Sequence, residues 1–169
     1  MGRQMKFRLI ILSIVIAIIL AIGVATNVNH EVVWSEADFN HTYANLDIAD
    51  YEKNHDSAHL SDHIGLDKEK LVALLQADKR LKSASTYPDQ ETAKLAITTV
   101  LSTNSTKIVN WLNHPGSPDK KSFHAKFEKP VGSGIKRSNM EKVIPLQKAV
   151  VVLVKLKSNG YSIATSYPE

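Results

Sequence analysis

No cysteine occurs anywhere in the 169 residues. That absence removes a thiol nucleophile, a cysteine-ligated zinc and the small disulfide-framework class of secreted protein. A domain of about 110 residues buries enough surface to fold without such cross-links, even outside the cytoplasm. Internal repeats and low-complexity stretches are absent as well. Strong net charge is missing too: setting aside Arg3, Lys6 and Arg8 leaves 18 Lys and Arg against 17 Asp and Glu. The zinc-protease pattern fails at one position, because Leu60 and not glutamate follows His59.

Polar residues are nearly absent from Leu9 to Ala25, "LIILSIVIAIILAIGVA", where only Ser13 and Gly23 interrupt an apolar run behind the basic start. Seventeen residues reach the lower edge of a bilayer-spanning helix. A cleaved signal peptide also fits, because Gly23 and Ala25 place small residues ahead of Thr26. Residues 1–28 are therefore read as a signal peptide or a signal-anchor transmembrane helix. In either case the basic start favours the N-terminus inside and the remainder outside. The localisation expected is the cell membrane, single-pass with the C-terminal domain outside the cytoplasm, or secreted and periplasmic.

The charges that remain are segregated. Residues 31–62 hold eight acids against Lys53 alone, whereas residues 63–169 hold 17 bases and nine acids. Such a division suits a basic domain that attracts a polyanion behind an acidic neck, or simply two solvated surfaces of opposite sign. Residues 29–55, rich in Asn and Asp with scattered apolar positions and no sustained period, read as that neck. The domain proper is placed at 56–169.

Within the domain, "DSAHLSDHIG" suits a short helix closed at Gly65. "LDKEKLVALLQADKRL" has Asp67 as N-cap and a stripe of Leu71, Leu74, Leu75 and Leu81. "YPDQETAKLAITTVLS" places Pro88 in the first turn, with a stripe through Leu95, Ile97 and Leu101. A third helix carries "NSTKIVNWLN". After the loop "HPGSPDKK" the period changes to two: "SFHAKFEKPVG" alternates, "PLQKAVVVLVKLK" is β-branched, and "SNG" turns it into "YSIATSYP". The fold class is α+β, with N-terminal helices packed on a C-terminal antiparallel β-sheet.

Two constellations could carry chemistry. His59 and His63 are four apart and would share a face of one helix, a spacing that permits a metal but does not demand one. Thr165 and Tyr167 are two apart and would share a face of the last strand, looking either into a core or into a cleft.

The ordered series "HIG", a Leu-rich helix, "SASTYPD", a second amphipathic helix, "KIVNWL", "VGSGIKR", "VVVLV" and a terminal "TSYP" runs from His59 to Pro168. That series resembles the bacterial RNase A-like toxin domain found at the C-termini of contact-dependent growth-inhibition proteins and other polymorphic toxins. The resemblance implies an RNase A-like fold and metal-independent RNA cleavage through a 2′,3′-cyclic phosphate, with no cofactor. It implies RNA as the substrate and spares DNA, which lacks the 2′-hydroxyl. It also implies an immunity protein as partner. By the same resemblance His63 of "HIG" is the catalytic histidine, and Thr165 and Tyr167 of "TSYP" are active-site hydroxyls.

The chain departs from that pattern at one place. Family members usually carry an arginine eleven residues beyond the histidine, and here Leu74 stands there. Lys70, one turn earlier on the same helical face, is the first substitute cation. Arg80 and Lys82 are less well placed by spacing, and Lys136 or Arg137 could contribute from the sheet. Two readings stay open: catalysis through a substitute cation, or a catalytically degenerate binding module held at the outer face of the membrane.

Overall fold

A computed structural model describes residues 33–56, 58–157 and 160–169. The apolar leader lies outside the described residues, as does the central part of the "SNG" turn. Among the described residues no helix is long and apolar enough to cross a membrane.

Among the described residues five α-helices and six strands make the α+β arrangement: α1 (Glu36–Tyr43), α2 (Ile48–Asn54), α3 (Lys68–Ala77), β1 (Ser83–Thr86), α4 (Gln90–Thr103), α5 (Ser105–Asn113), β2 (Lys120–Lys126), β3 (Gly132–Lys136), β4 (Asn139–Leu146), β5 (Lys148–Lys155) and β6 (Tyr161–Pro168). One 3-10 turn, Ser61–His63, precedes α3. The strands form two antiparallel sheets, ordered β1-β3-β4 and β2-β5-β6. The single C-terminal sheet expected is divided in two: β3 and β4 pair apart from β2, β5 and β6, and "SAST", lying among the helices, adds an edge strand to them. Its Ala84 and Thr86 are buried while Ser83 is exposed. Four polar, mostly small residues carry too weak an alternation to announce a strand.

The main core lies between α4 and the β2-β5-β6 sheet. Asp89 caps α4 by accepting from Thr92 N–H at 2.7 Å, and Pro88 sits just before the cap. Ala93, Ala96, Ile97, Val100 and Leu101 form the buried face of α4, packed in one cluster with Ala149, Val151, Leu153 and Ile163. Each large aliphatic side chain buried there is worth about 1.5–3 kcal/mol. Leu95, expected in the stripe, is 61% exposed because it stands on the opposite face.

A smaller core holds α3 on the other sheet through Leu71, Leu75, Ala84 and Ile135. Asp67 caps α3, accepting from Lys70 N–H at 2.8 Å. Its buried stripe is narrower than the leucine spacing suggests, since Leu74 and Leu81 are each 40% exposed. The carbonyls at the C-terminal end of α3 are gathered by Arg137: its Nε donates to Leu81 O at 2.7 Å, and Nη2 donates to Asp78 O at 2.8 Å and to Leu75 O. A guanidinium at that end also complements the helix dipole.

The residues assigned above to an acidic neck are folded from Val33 onward. Phe39, Tyr43, Leu46 and Ile48 join the main core, and Trp34 and Phe39 meet Tyr161 edge-on and tilted, at 5.4 and 5.2 Å between ring centroids. Few apolar residues do this work, but most are aromatic and bury a large area each. Helices of eight and seven residues are too short for periodicity to show.

Candidate active site

The segment "HIG" is held by backbone pairing with the end of β1. Tyr87 N–H donates to His63 O at 2.7 Å and Gly65 N–H donates to Tyr87 O at 2.8 Å. Gly65 adopts φ +66°, a left-handed conformation that glycine takes without strain, and this lets the chain turn from the bridge into α3. Thr86 Oγ1 accepts from Leu66 N–H at 3.0 Å on the far side of that turn. Only Ser61–His63 are helical before it, so His59 and His63 do not share a helix face. His59 instead forms a parallel bridge with Thr165. Among the described residues no group of three or more His, Cys, Asp or Glu is placed to hold a metal.

His63 is half-buried. Its Nδ1 lies 3.3 Å from Ser85 O, and a carbonyl only accepts, so this contact assigns the ring proton to Nδ1 and leaves Nε2 as a base. The ring faces Tyr167 with 5.6 Å between centroids. Tyr167 reaches this place because β6 ends against the other sheet. A Cβ built on Gly132 of β3 would lie 2.4 Å from Pro168 Cγ and 2.6 Å from Thr86 O, so only a glycine admits the proline. Tyr87 Oη and Ser166 Oγ, 2.8 Å apart in the buried interior, tie the same two elements together. Burial, and then the Glu169 carboxylate, push the Tyr167 hydroxyl pKa upward against an opposing effect of Lys148. Tyr167 therefore keeps its proton at neutral pH and remains a donor.

An open cleft of about 1400 Å³ runs from this pair, lined by residues of α3 and of the β1-β3-β4 sheet. Of the sequence-derived site residues, His63, Lys70 and Tyr167 line it, and so does Leu74. Thr165 does not line it; its hydroxyl donates to His59 O at 3.2 Å. Lys70 Nζ lies 3.8 Å from Asp67. Arg80 also borders the cleft but is engaged by Asp78, whose carboxyl is lowered to about 2 by the Arg80 hydrogen bonds. Arg137 is committed to the end of α3.

Two further cations line the cleft, Lys82 and Lys136, and neither makes an ion pair among the described residues. Pairing of Ser83 with Lys136, and of Ser85 with Gly134, puts Lys136 on the same sheet face as the serine whose carbonyl meets His63. Lys82 adjoins β1, the strand the sequence does not announce, and Lys136 stands on β3.

The chain belongs to the bacterial CdiA-CT RNase A domain family, whose model matches residues 57–168. A solved CdiA-CT/CdiI complex from Y. kristensenii contains a chain that is 25% identical and superimposes with a TM-score of 0.59, over 65% of this chain and 96% of that one. No curated protein shows significant similarity to the present chain.

Proposed function

We propose that this chain is a ribonuclease toxin domain that cleaves RNA without a metal and leaves a 2′,3′-cyclic phosphate. The observation that carries the reading is the meeting of His63 and Tyr167 at the head of a lysine-lined cleft, within a chain of the RNase A-like family. His63 Nε2 takes the proton of the ribose 2′-hydroxyl, and the freed oxygen attacks the adjacent phosphorus. Negative charge gathers on the non-bridging oxygens, where the Tyr167 hydroxyl donates a hydrogen bond and a cleft lysine supplies positive charge. The bond to the 5′-oxygen breaks, and that oxygen leaves as a hydroxyl after taking a proton from solvent water in the open cleft, while His63 later returns its proton to solvent. Lys70, one turn before Leu74, is the lysine placed first, and Lys82 and Lys136 also line the cleft. Thr165 completes the proposed site; to touch substrate its hydroxyl must release His59 O.

The domain acts outside the cytoplasm of the producing cell, exported or anchored through residues 1–28. Its relative was solved as a CdiA-CT/CdiI complex, and by that likeness an immunity-type protein is the partner proposed for this chain. A second reading rests on one observation: Leu74 places a methyl-bearing side chain in the cleft where the family pattern has a cation. On that reading the fold binds a polyanion or a partner and does not cleave.

The full chain, incubated with total RNA and with matched DNA in EDTA beside a His63→Ala control, decides between them. RNA broken down to cyclic-phosphate ends, with DNA and the control reaction intact, supports the ribonuclease. Cleavage by a folded His63→Ala protein removes the histidine assignment. Intact RNA with the folded wild-type chain leaves the binding module.

A further inference from the structure

The strand that bears Thr165 and Tyr167 is bulged. Val152 pairs with Thr165, yet the next residue, Leu153, pairs with Ile163, so Ala164 is one residue too many. A bulge removes backbone groups from the ladder, and buried groups of that kind need other partners. Here both partners come from the N-terminal side. Ile163 N–H donates to Tyr51 Oη at 2.7 Å, and Ala164 O accepts from His59 N–H at 2.9 Å.

The neighbour of Tyr51 performs the matching task for the histidine. Glu52 Oε1 accepts from Leu60 N–H at 2.5 Å and from Ser61 N–H at 2.8 Å, the first donors of the turn that ends in His63. That turn has no side-chain cap of its own, so a carboxylate eight residues upstream serves as one. Tyr51 and Glu52 both stand on α2, which Ile48 anchors in the main core. All of α2 lies outside residues 57–168, the part matched by the family model.

We infer that α2 is a bracket for the active site, with Tyr51 and Glu52 as positioning residues: Tyr51 fixes the bulge that aims the Thr165–Tyr167 end of β6, and Glu52 fixes the His63 turn. The inference rests on the ribonuclease reading for its catalytic consequence, while its structural content is independent of it. Neither side chain touches the reacting atoms. What they set is the relative placement of base and donor, and small displacements there lower the rate without weakening binding.

The test uses the full chain with Glu52→Ala, Glu52→Gln and Tyr51→Phe. Steady-state RNA cleavage is read beside amide hydrogen exchange. Glu52→Ala is expected to lower kcat about tenfold with KM changed less than about twofold. It should also speed exchange at Leu60 and Ser61 about tenfold, with Val151 and Leu153 unaffected. Glu52→Gln retains an acceptor oxygen and is expected to restore both properties. Tyr51→Phe should speed exchange at Ile163 alone among these sites and lower kcat. A Glu52→Ala protein that cleaves as wild type, or a Glu52→Gln protein as slow as Glu52→Ala, overturns the bracket. Should the wild-type chain cleave no RNA, the nuclease reading falls. Exchange at Leu60, Ser61 and Ile163 then still decides the bracket: slow in wild type and fast in the variants supports it, and no difference refutes it.

Discussion

Placing an arginine at position 74 tests the cleft more sharply than removing anything from it. Leu74 stands on α3 one turn after Lys70, lines the cleft, and is 40% exposed. Burying a whole leucine is worth about 1.5–3 kcal/mol, so a partly exposed one contributes less. The arginine stem covers the same apolar surface while its head stays in water, and arginine forms helix about as well as leucine. Repulsion from Lys70 at i, i+4 costs a few tenths of a kcal/mol, about 0.2–0.5. Leu74→Arg should therefore change stability by less than about 1 kcal/mol. Its catalytic effect points the other way. A single donor aimed at developing charge is worth about 2.7–4 kcal/mol in a water-excluded site. This cleft is open, so about 1.4–2.7 kcal/mol is a fairer figure, a gain of about tenfold to a hundredfold in kcat/KM. The assay is cleavage of a short RNA in EDTA at fixed ionic strength, with Leu74→Arg compared in wild-type and His63→Ala backgrounds. A folded Leu74→Arg protein no faster than wild type would refute the idea that a missing cation limits this site. A gain that persists without His63 would show that the new charge merely holds RNA.

Three other outcomes follow from the same geometry. Lys70→Ala should slow cleavage about tenfold, about 1.4 kcal/mol in barrier. An unchanged rate, with loss on Lys136→Ala instead, moves the cation to the sheet wall. Arg137→Ala strips a charged donor from Leu75, Asp78 and Leu81 carbonyls and should cost about 2–3 kcal/mol in urea unfolding; a loss below about 0.5 kcal/mol contradicts the capping role. Gly132→Ala forces a Cβ against Pro168 and the Thr86 carbonyl, and should cost about 1–3 kcal/mol and slow cleavage by shifting Tyr167. Unchanged melting of this variant would show that the two sheets separate freely at that point.

What was legible in the sequence follows the range of the interactions involved. Asp67 shows as a cap because the group it caps is three residues away, and strands β5 and β6 show because their residue pattern is local. Helix α4 shows for the same reason, although leucine spacing overstates its buried face: alanines can line a core when the sheet comes close, and Ala93 and Ala96 carry no hydrophobic signal to compare with that of the exposed Leu95. The short strand β1 is different. Nothing in Ser83–Thr86 alone asks for a sheet; the demand comes from β3, some fifty residues later, through the pairing of Ser83 with Lys136.

The site divides along the same line. His63 and Tyr167 were approachable through the order of motifs, but what brings them together is written in residues with no motif of their own. A proline is admitted by the missing side chain of Gly132. A carboxylate at Glu52 caps a turn eight residues on, farther than any local capping rule reaches. A tyrosine at position 51 takes up the N–H that a bulge set free at position 163. The last two supply acceptors to backbone N–H groups outside the regular ladders, and the first is a steric fit; all three are visible only once the distant elements are in place. Segment 33–55 looked like a neck because its contribution to the fold is of this kind: a handful of aromatic contacts and two acceptors, placed where the domain leaves backbone donors unmatched. A boundary drawn from composition at residue 56 therefore divides the His63 turn from the carboxylate that holds it.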